Sequence, residues 1–351
     1  MANHNKQYAL KILLCPRCNA AALKRAAGKN KSGGSLTCLQ CEASYPVIDG
    51  IPQLLKDPSL FTHLESINYD DHHNIDDERR EKVARDWKKV FDRHGSVYGD
   101  VLEIGSGTGQ LTWGLSNRFP FRSVHACDIS TQFLLKAAGV VGKAGAPVSY
   151  YACDANFLPF KENSFDLVVG HSVLHHFIDY KKIIFHLEKL LRPGGQAIFY
   201  EPVLQGKMLI AFFGDLVRRI ERRTEWGVLD EKDDARINHM TRHIMKSKWI
   251  GDDRERLEKI EDKYIFDINE MRKLAHDAGF VSMEHSNLEM PEKGYRHYFN
   301  QHLLMEGLSP EKIQQFATTL RRFLPAGSEE YVAEYLLEKV VHFTVTKERK
   351  T

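Results

Sequence analysis

The sequence VLEIGSGTGQL at residues 101–111 decides the fold. An apolar run ending at Glu103 has the pattern of a buried strand, and three glycines then lead into a segment with helical spacing. Glycine is favoured in such a turn because a Cβ atom would block either the turn or the approach of a ligand to the backbone. The stretch therefore predicts a strand–turn–helix unit of an α/β fold that binds a nucleoside-bearing cofactor.

The spacing of the three glycines separates the cofactor classes that use such turns. A phosphate-binding P-loop needs Gly-x-x-x-x-Gly-Lys-Ser/Thr, whereas positions 110 and 111 are Gln and Leu. In a dinucleotide-binding turn the third glycine comes one residue later than Gly109 does here. The pattern Glu-x-Gly-x-Gly-x-Gly resembles the first motif of class I methyltransferases that use S-adenosylmethionine (SAM). For this motif alone, a tight turn without a ligand stays open as an alternative.

Acidic residues after the next strands support the same interpretation. A second predicted strand ends at Asp128, about twenty residues beyond the glycines, where a carboxylate can accept hydrogen bonds from both ribose hydroxyls. A third predicted strand leads to Asp154, a fourth ends at His171, and Arg-Pro-Gly-Gly leads into a fifth at residues 196–200. The order and spacing of these segments resemble small-molecule, Methyltransf_11-like members of the family.

This resemblance implies an α/β, Rossmann-like fold with a seven-stranded sheet and helical lid insertions, and SAM as the cofactor. In the family, the acid that corresponds to Asp154 contacts the adenine amine, and the backbone amide of the next residue contacts the ring. His171 would flank the methionine part of SAM, and Glu103 would support the methionine end or the glycine turn. The implied SAM-binding residues are Glu103, Gly105, Ser106, Gly107, Gly109, Asp128, Ile129, Asp154, Ala155 and His171.

The run His-Ser-Val-Leu-His-His-Phe at residues 171–177 bears on the acceptor. It contains neither the Asn/Asp-Pro-Pro-aromatic motif of amino methylation on bases nor the Pro-Cys pair of covalent catalysis on pyrimidine carbon. Histidines titrate near neutrality, so His175 and His176 are candidate general bases. The alternative is that both cap the strand and pack beside SAM. We therefore predict methyl transfer to a small-molecule acceptor, at oxygen.

Four of the six cysteines form two Cys-x-x-Cys pairs with nineteen residues between them. This spacing lies within the range of zinc sites, and four thiolates close a tetrahedral sphere without leaving a position for water. The sequence therefore predicts a structural Zn²⁺ site, with two disulfides as the alternative. Its ligands would be Cys15, Cys18, Cys38 and Cys41. Cys127 and Cys153 lie in predicted core strands, so we expect them to be buried free thiols.

Residues 1–60 resemble the Trm112-like zinc ribbons, which occur alone as methyltransferase partners or fused before a methyltransferase domain. We expect residues 20–34 to form a loose loop between the cysteine pairs. The segment carries eight Lys and Arg against three Asp and Glu. This excess could hold RNA, so an RNA methyltransferase that binds its substrate through the ribbon is an alternative function. A solvated basic surface is the other explanation.

The remaining chain is divided by its pattern of apolar residues. Residues 61–98 are predicted to be a helical linker that covers the cofactor site, with helical spacing around Trp87. Residues 99–351 form the predicted methyltransferase domain, with lid insertions at about 206–262 and 288–338. The first insertion begins with an apolar helix and a basic tail, which could roof a pocket for an apolar acceptor, lie on a membrane or pack on the domain.

Composition is that of an ordinary globular enzyme. The 351 residues are 42% hydrophobic and 27% charged with a formal net charge of +2, which gives no global argument for nucleic acid. We find neither a signal-like N-terminus nor a transmembrane run, and so we expect a cytoplasmic protein. A third hypothesis, a SAM-binding scaffold whose ribbon recruits a partner, leaves the predicted lid unexplained.

Overall fold

The computed structural model describes residues 9–30, 33–56, 76–96, 98–142, 144–222, 229–248, 254–259, 262–286, 299–323 and 340–348. The strands in these ranges are β1 (Leu23–Asn30), β2 (Gly33–Cys38), β3 (Ser44–Ile48), β4 (Ile51–Pro52), β5 (Asp100–Ile104), β6 (Ser123–Asp128), β7 (Val148–Ala152), β8 (Phe165–His171), β9 (Leu191–Pro202), β10 (Phe280–Ser286) and β11 (Val340–Lys347). The helices are α1 (Asp77–His94), α2 (Gln110–Asn117), α3 (Thr131–Val141), α4 (Tyr180–Leu190), α5 (Leu204–Glu221), α6 (Glu231–Lys248), α7 (Arg254–Glu258), α8 (Ile268–Asp277) and α9 (Pro310–Phe323).

Seven strands form one sheet in the order β10-β11-β9-β8-β5-β6-β7. The strands from β9 to β7 pair in parallel, whereas β11 runs antiparallel to both of its neighbours. The chain order reverses between β5 and β8, which opens a crevice at the carboxyl ends of these strands, where α/β sheets bind their ligands. The predicted seven-stranded, Rossmann-like sheet is confirmed.

Both faces of this sheet are covered, as the near-continuous apolar character of its strands requires. On one face Val101 and Leu167 pack with Trp87 and Phe91 of α1 and with residues of α2. On the other face, Leu102 and its neighbours pack with α4 and α8. Helix α1 begins at an Asp76 cap and ends at Gly95, and the expected helical spacing around Trp87 is confirmed.

The N-terminal module, residues 9–56, is a four-stranded antiparallel sheet in the order β1-β2-β3-β4. The expected loop at residues 20–34 was wrong, because β1 and the start of β2 lie within that range. Alanine and lysine favour strands weakly, but β1 gains its ladder by pairing with β2 along Leu23–Ala26. Tertiary pairing therefore overrides a local composition typical of a loop.

This module is joined to the large sheet through the edge strand β7. The backbone N–H of Leu54 donates to the carbonyl of Ala152 at 2.7 Å, and Thr131 donates its hydroxyl to Gln53 at 2.5 Å. A further pair of backbone bonds links residues 12–14 to residues 159–161. Because an open edge strand invites unwanted pairing, this contact also protects the sheet.

Two chain segments that interrupt the sheet pack together as a helical unit. Ile210 and Val217 of α5, Ile237 of α6, and Phe299 and Phe316 belong to one buried cluster. Phe299 is therefore a core residue. Parts of the expected lid, including residues 288–298 and 324–338, and residues 61–75 of the expected linker lie outside the described residues. Among the helices of the described ranges, none is both long and apolar enough to cross a membrane.

Candidate functional site: a glycine cradle and a histidine–carboxylate cluster

The glycine turn lies at the carboxyl end of β5, as its sequence predicts. Gly105, Gly107 and Gly109 all have positive φ, between 51° and 89°, a region that L side chains rarely adopt. A Cβ atom on Gly105 would lie 2.2 Å from a methyl group of Val173, so a side chain there would displace the loop after β8. A Cβ on Gly107 would meet nothing within 4 Å, because this glycine faces open space. The turn therefore offers its backbone to a ligand at Gly107.

Asp128 holds this turn from the neighbouring strand. Its carboxylate accepts the backbone N–H of Gly107 at 2.9 Å and that of Ser130 at 2.9 Å. Ser130 in turn caps α3 by accepting the N–H of Phe133. Burial raises the pKa of Asp128, although its backbone hydrogen bonds act in the opposite direction. The carboxylate is thus fixed beside the glycine turn, with lone pairs left for hydroxyl donors.

We call the glycine turn at residues 105–109, together with the strand ends beside it, the glycine cradle. Other residues of this cradle fit an adenosine-bearing ligand. The buried hydroxyl of Ser106 has no hydrogen-bond partner within the described part of the chain, which is costly unless a ligand supplies one. Asp154 follows β7, and its side chain accepts the N–H of Asn156 at 2.8 Å. It thereby caps a short helical turn whose first residue is the buried Ala155. Ile129 is half-buried directly after Asp128. The structure therefore brings the predicted ribose and adenine residues to one edge of the sheet.

Glu103 supports the turn from below. Its side chain is 2% exposed and accepts a 2.5 Å hydrogen bond from the hydroxyl of Thr112 in α2. Burial raises the pKa of this carboxyl to about 8, and the Thr112 hydrogen bond opposes that rise. Glu103 therefore links the strand before the turn to the helix after it.

We expect the stability of the ligand-free protein to decrease between pH 6 and 8 because of Glu103. The folded protein holds this proton up to about pH 8, while the unfolded chain releases it near 4.5, so the folded state binds more protons in between. The free energy of unfolding then falls as the pH rises, by on the order of 1 kcal/mol per unit. Thermal unfolding of Glu103→Gln across this range should show a shallower decrease than the wild type. Equal slopes in the two proteins would contradict the prediction.

His171 lies at the end of β8 against the cover helix α1. The indole N–H of Trp87 donates to its Nδ1 at 3.0 Å, and the ring of Tyr200 stacks on it at 4.7 Å between centroids. Burial lowers the pKa of His171 to about 4, so the ring is neutral at pH 7. Trp87 was predicted only as part of a helical face. The helical spacing could not reveal that Trp87 donates a hydrogen bond to His171.

His175 and His176 form a short turn after β8, next to a buried glutamate. Glu201 in β9 is fully buried and accepts His175 Nδ1–H at 2.6 Å, together with the N–H groups of Val173 and Leu174. Burial acts to lower the pKa of His175, but the hydrogen bonds with Asp262 and Glu201 outweigh it and raise the pKa to about 9. The two carboxylates therefore set the electrostatics of this ring, and the general-base role stays a prediction.

Sequence reasoning missed Glu201 and Asp262 as site residues. The sequence contained one indication of Glu201, because an acid at the end of an apolar strand is the pattern that also pointed to Asp128. Asp262 had none, because it is brought to the histidines by the fold from a charged segment more than eighty residues away. The N–H of Lys263 donates to the carbonyl of His175 at 2.9 Å and holds this segment in place.

The four cysteines of the two Cys-x-x-Cys pairs lie together in the N-terminal module. The sulfurs of Cys15 and Cys41 are 3.6 Å apart, and those of Cys18 and Cys38 are also 3.6 Å apart. All four are free thiols, so the disulfide alternative is wrong in this structure. Zn–S bonds of about 2.3 Å place neighbouring sulfurs about 3.8 Å apart, which these separations fit. Cys127 and Cys153 are buried and free, as expected.

The glycine turn lies within a part of the chain that is similar to known proteins. Residues 102–199 match the family model described as methyltransferase domain. This part of the chain is therefore similar to a methyltransferase domain. The chain is 29% identical over 112 residues to a ubiquinone/menaquinone biosynthesis C-methyltransferase of Desulfotalea psychrophila. The matched stretch covers 32% of this chain and 45% of that protein.

A second curated relative and one solved structure are also similar to this chain. The chain is 31% identical over 134 residues to the polyketide synthase component of compactin nonaketide synthase from Penicillium citrinum, covering 36% of this chain and 4% of the synthase. It thus spans less than half the length of either curated relative. A solved structure of phosphoethanolamine N-methyltransferase 2 from Haemonchus contortus with SAM is similar at 17% identity and a TM-score of 0.45, covering 93% of this chain and 71% of that one.

Proposed function

We propose that the whole protein transfers a methyl group from SAM to a small-molecule acceptor. The observation that carries this proposal is the carboxylate of Asp128, which is hydrogen-bonded to Gly107 of an open glycine cradle at the carboxyl edge of the sheet. A P-loop would place a lysine here, and a dinucleotide turn would space its glycines differently. A nucleoside with free ribose hydroxyls and no phosphate fits the donors and acceptors that are present.

Each end of SAM has residues proposed to hold it. Asp128 accepts hydrogen bonds from the ribose, while Asp154 and the amide of Ala155 contact adenine. Ser106 supplies a buried hydroxyl, and His171, held by Trp87, flanks the methionine part. When bound, SAM supplies an electrophilic methyl group on a sulfonium. The protein contributes a fixed geometry that lets the acceptor approach in line, which lowers the entropic part of the barrier.

The acceptor lies, in this proposal, on the side of the cradle where the turn with His175 and His176 meets Gly105. These two histidines are the candidate catalytic groups. The helical unit of α5, α6 and α9 is the proposed lid over the acceptor. Oxygen is the first expected site of methylation, and carbon is a second candidate, because one relative is named a C-methyltransferase.

We further propose that the four-cysteine cluster binds one structural Zn²⁺ and that the N-terminal module is a Trm112-like ribbon. The sulfur separations of 3.6 Å support the first statement. Asn19 and Glu42, each directly after the second cysteine of its pair, share a φ of 58°. The left-handed residue after each pair ends a tight turn, and each turn supplies two of the four thiolates that a closed tetrahedral zinc site uses.

The proposed function is tested by a methyl-transfer assay with methyl-labelled SAM. Label should enter the small-molecule fraction of a metabolite extract and not a total RNA pool, with Asp128→Ala as the inactive control. Label in RNA alone would overturn the small-molecule acceptor in favour of the RNA alternative. A folded protein that binds neither SAM nor S-adenosylhomocysteine in calorimetry would overturn the enzyme itself.

A further inference from the structure

Three side chains that could bind a metal meet beside β9. The Nε2 atom of His175 lies 3.4 Å from a carboxylate oxygen of Asp262, and Nδ1 of His176 lies 3.7 Å from the same oxygen. The three potential ligand atoms lie within 4.8 Å of one another. His175 is buried, whereas the side chain of Asp262 is 78% exposed, so the group opens to one side.

The position of Asp262 is determined by the backbone that follows it. The N–H of Lys263 donates to the carbonyl of His175 at 2.9 Å, and the hydroxyl of Tyr264 donates to the carbonyl of Ile178 at 3.1 Å. Phe266 pairs with the end of β9 through a 3.0 Å bond to Pro202. The carboxylate is therefore held over the histidines by the fold, although its side chain is exposed.

Glu201 orients the first histidine. Its carboxylate accepts Nδ1–H of His175 at 2.6 Å and is itself fixed by the N–H groups of Val173 and Leu174. A buried carboxylate that binds one ring nitrogen leaves the other nitrogen aimed outward. This carboxylate–histidine pair is the usual support of a metal-bound imidazole, because it sets the tautomer and raises the basicity of the ligand.

The distances leave room for an ion between these side chains. Charge-assisted N–H···O bonds are commonly 2.7–2.9 Å long, so 3.4 and 3.7 Å are long for such contacts. Metal bonds of about 2.1 Å at tetrahedral angles place neighbouring ligand atoms about 3.4 Å apart. We propose that His175, His176 and Asp262 bind a divalent transition-metal ion such as Zn²⁺, with Glu201 as the positioning residue.

Three protein ligands leave at least one coordination position on the exposed side. Two imidazoles and one carboxylate suit late first-row divalent ions, which accept an oxygen ligand at the open position. An acceptor with an ionisable hydroxyl or a carboxylate would bind there, and the ion would lower the pKa of a bound hydroxyl. This consequence rests on the proposed methyl transfer, whereas metal binding itself does not.

The test is equilibrium dialysis of the purified full chain against Zn²⁺, followed by total metal analysis. The wild type should hold one zinc more per chain than His176→Gln or Asp262→Asn. His276→Gln, which changes an exposed histidine outside the cluster, is the matched control and should keep the wild-type value. Glu201→Gln should weaken the extra zinc about 10- to 100-fold without removing its ligands.

Equal zinc per chain in wild type, His176→Gln and Asp262→Asn would overturn the proposal. Both substituted side chains are partly or largely exposed, so their thermal unfolding in metal-free buffer should match that of the wild type. The zinc held by the cysteines cancels in this comparison. Because no methyl transfer is measured, the result stands apart from the test of the proposed function.

Discussion

Replacing Cys38 by Ser is expected to remove one zinc per chain and to destabilise the methyltransferase domain as well as the N-terminal module. The serine hydroxyl is not deprotonated near neutral pH and cannot replace a thiolate ligand. Structural zinc contributes about 10 kcal/mol or more to the folding of small modules that depend on it. We expect the unfolding midpoint to fall by on the order of 10 °C, as measured by calorimetry.

The effect should reach the large sheet because the two parts share one hydrophobic core. Leu13, Leu36 and Tyr45 of the module are buried in the same cluster as Tyr151 and Phe160 beside β7. Unfolding the module would expose these side chains and leave the edge of β7 unpaired. The domain would then lose stability and gain a tendency to aggregate.

Cys127→Ser is the matched control, since it makes the same chemical change at another buried, free cysteine. It should retain the full zinc content and lose far less stability than Cys38→Ser. If Cys38→Ser keeps its zinc, or if both variants unfold at the same temperature, the cysteine cluster is not a zinc site that supports the domain.

The placement of the residues proposed to bind the cofactor could be predicted from the sequence, because these residues are local to strand ends. Asp128 and Asp154 each follow an apolar run, and parallel strands bring such positions to one edge of the sheet. The glycine spacing depends on backbone geometry that a short stretch determines by itself. The two Cys-x-x-Cys pairs are also close in sequence, so their spacing was enough to predict that the four cysteines form one cluster.

The arrangement of the proposed acceptor half could not be predicted in the same way. Glu201, His175 and Asp262 meet through tertiary packing, and the bond from Lys263 to His175 that fixes them joins segments without a shared pattern. Trp87 shows the same limit, because spacing placed it on a buried face but not beside His171. The loop expected at residues 20–34 failed for a related reason, since strand pairing depends on a partner elsewhere in the chain.

Replacing Asp128 by Ala is expected to weaken SAM binding about 100-fold or more. Hydrogen bonds from two ribose hydroxyls to a carboxylate contribute about 1.5–3 kcal/mol each, and both would be lost. The substitution also leaves the N–H of Gly107 without its acceptor, which loosens the turn that must approach the cofactor. Calorimetric titration with S-adenosylhomocysteine measures the dissociation constant directly, without depending on the acceptor.

Asp277→Ala provides the matched control, because this aspartate lies at the end of α8 and pairs with Lys273 on the surface. Its affinity for S-adenosylhomocysteine should equal that of the wild type. Asp128→Ala should keep its zinc and most of its stability, since the lost bonds tie down a turn and not the core. Unchanged affinity in a folded Asp128→Ala protein would remove this carboxylate from the ribose role, and the cradle would then have to bind a ligand other than a nucleoside.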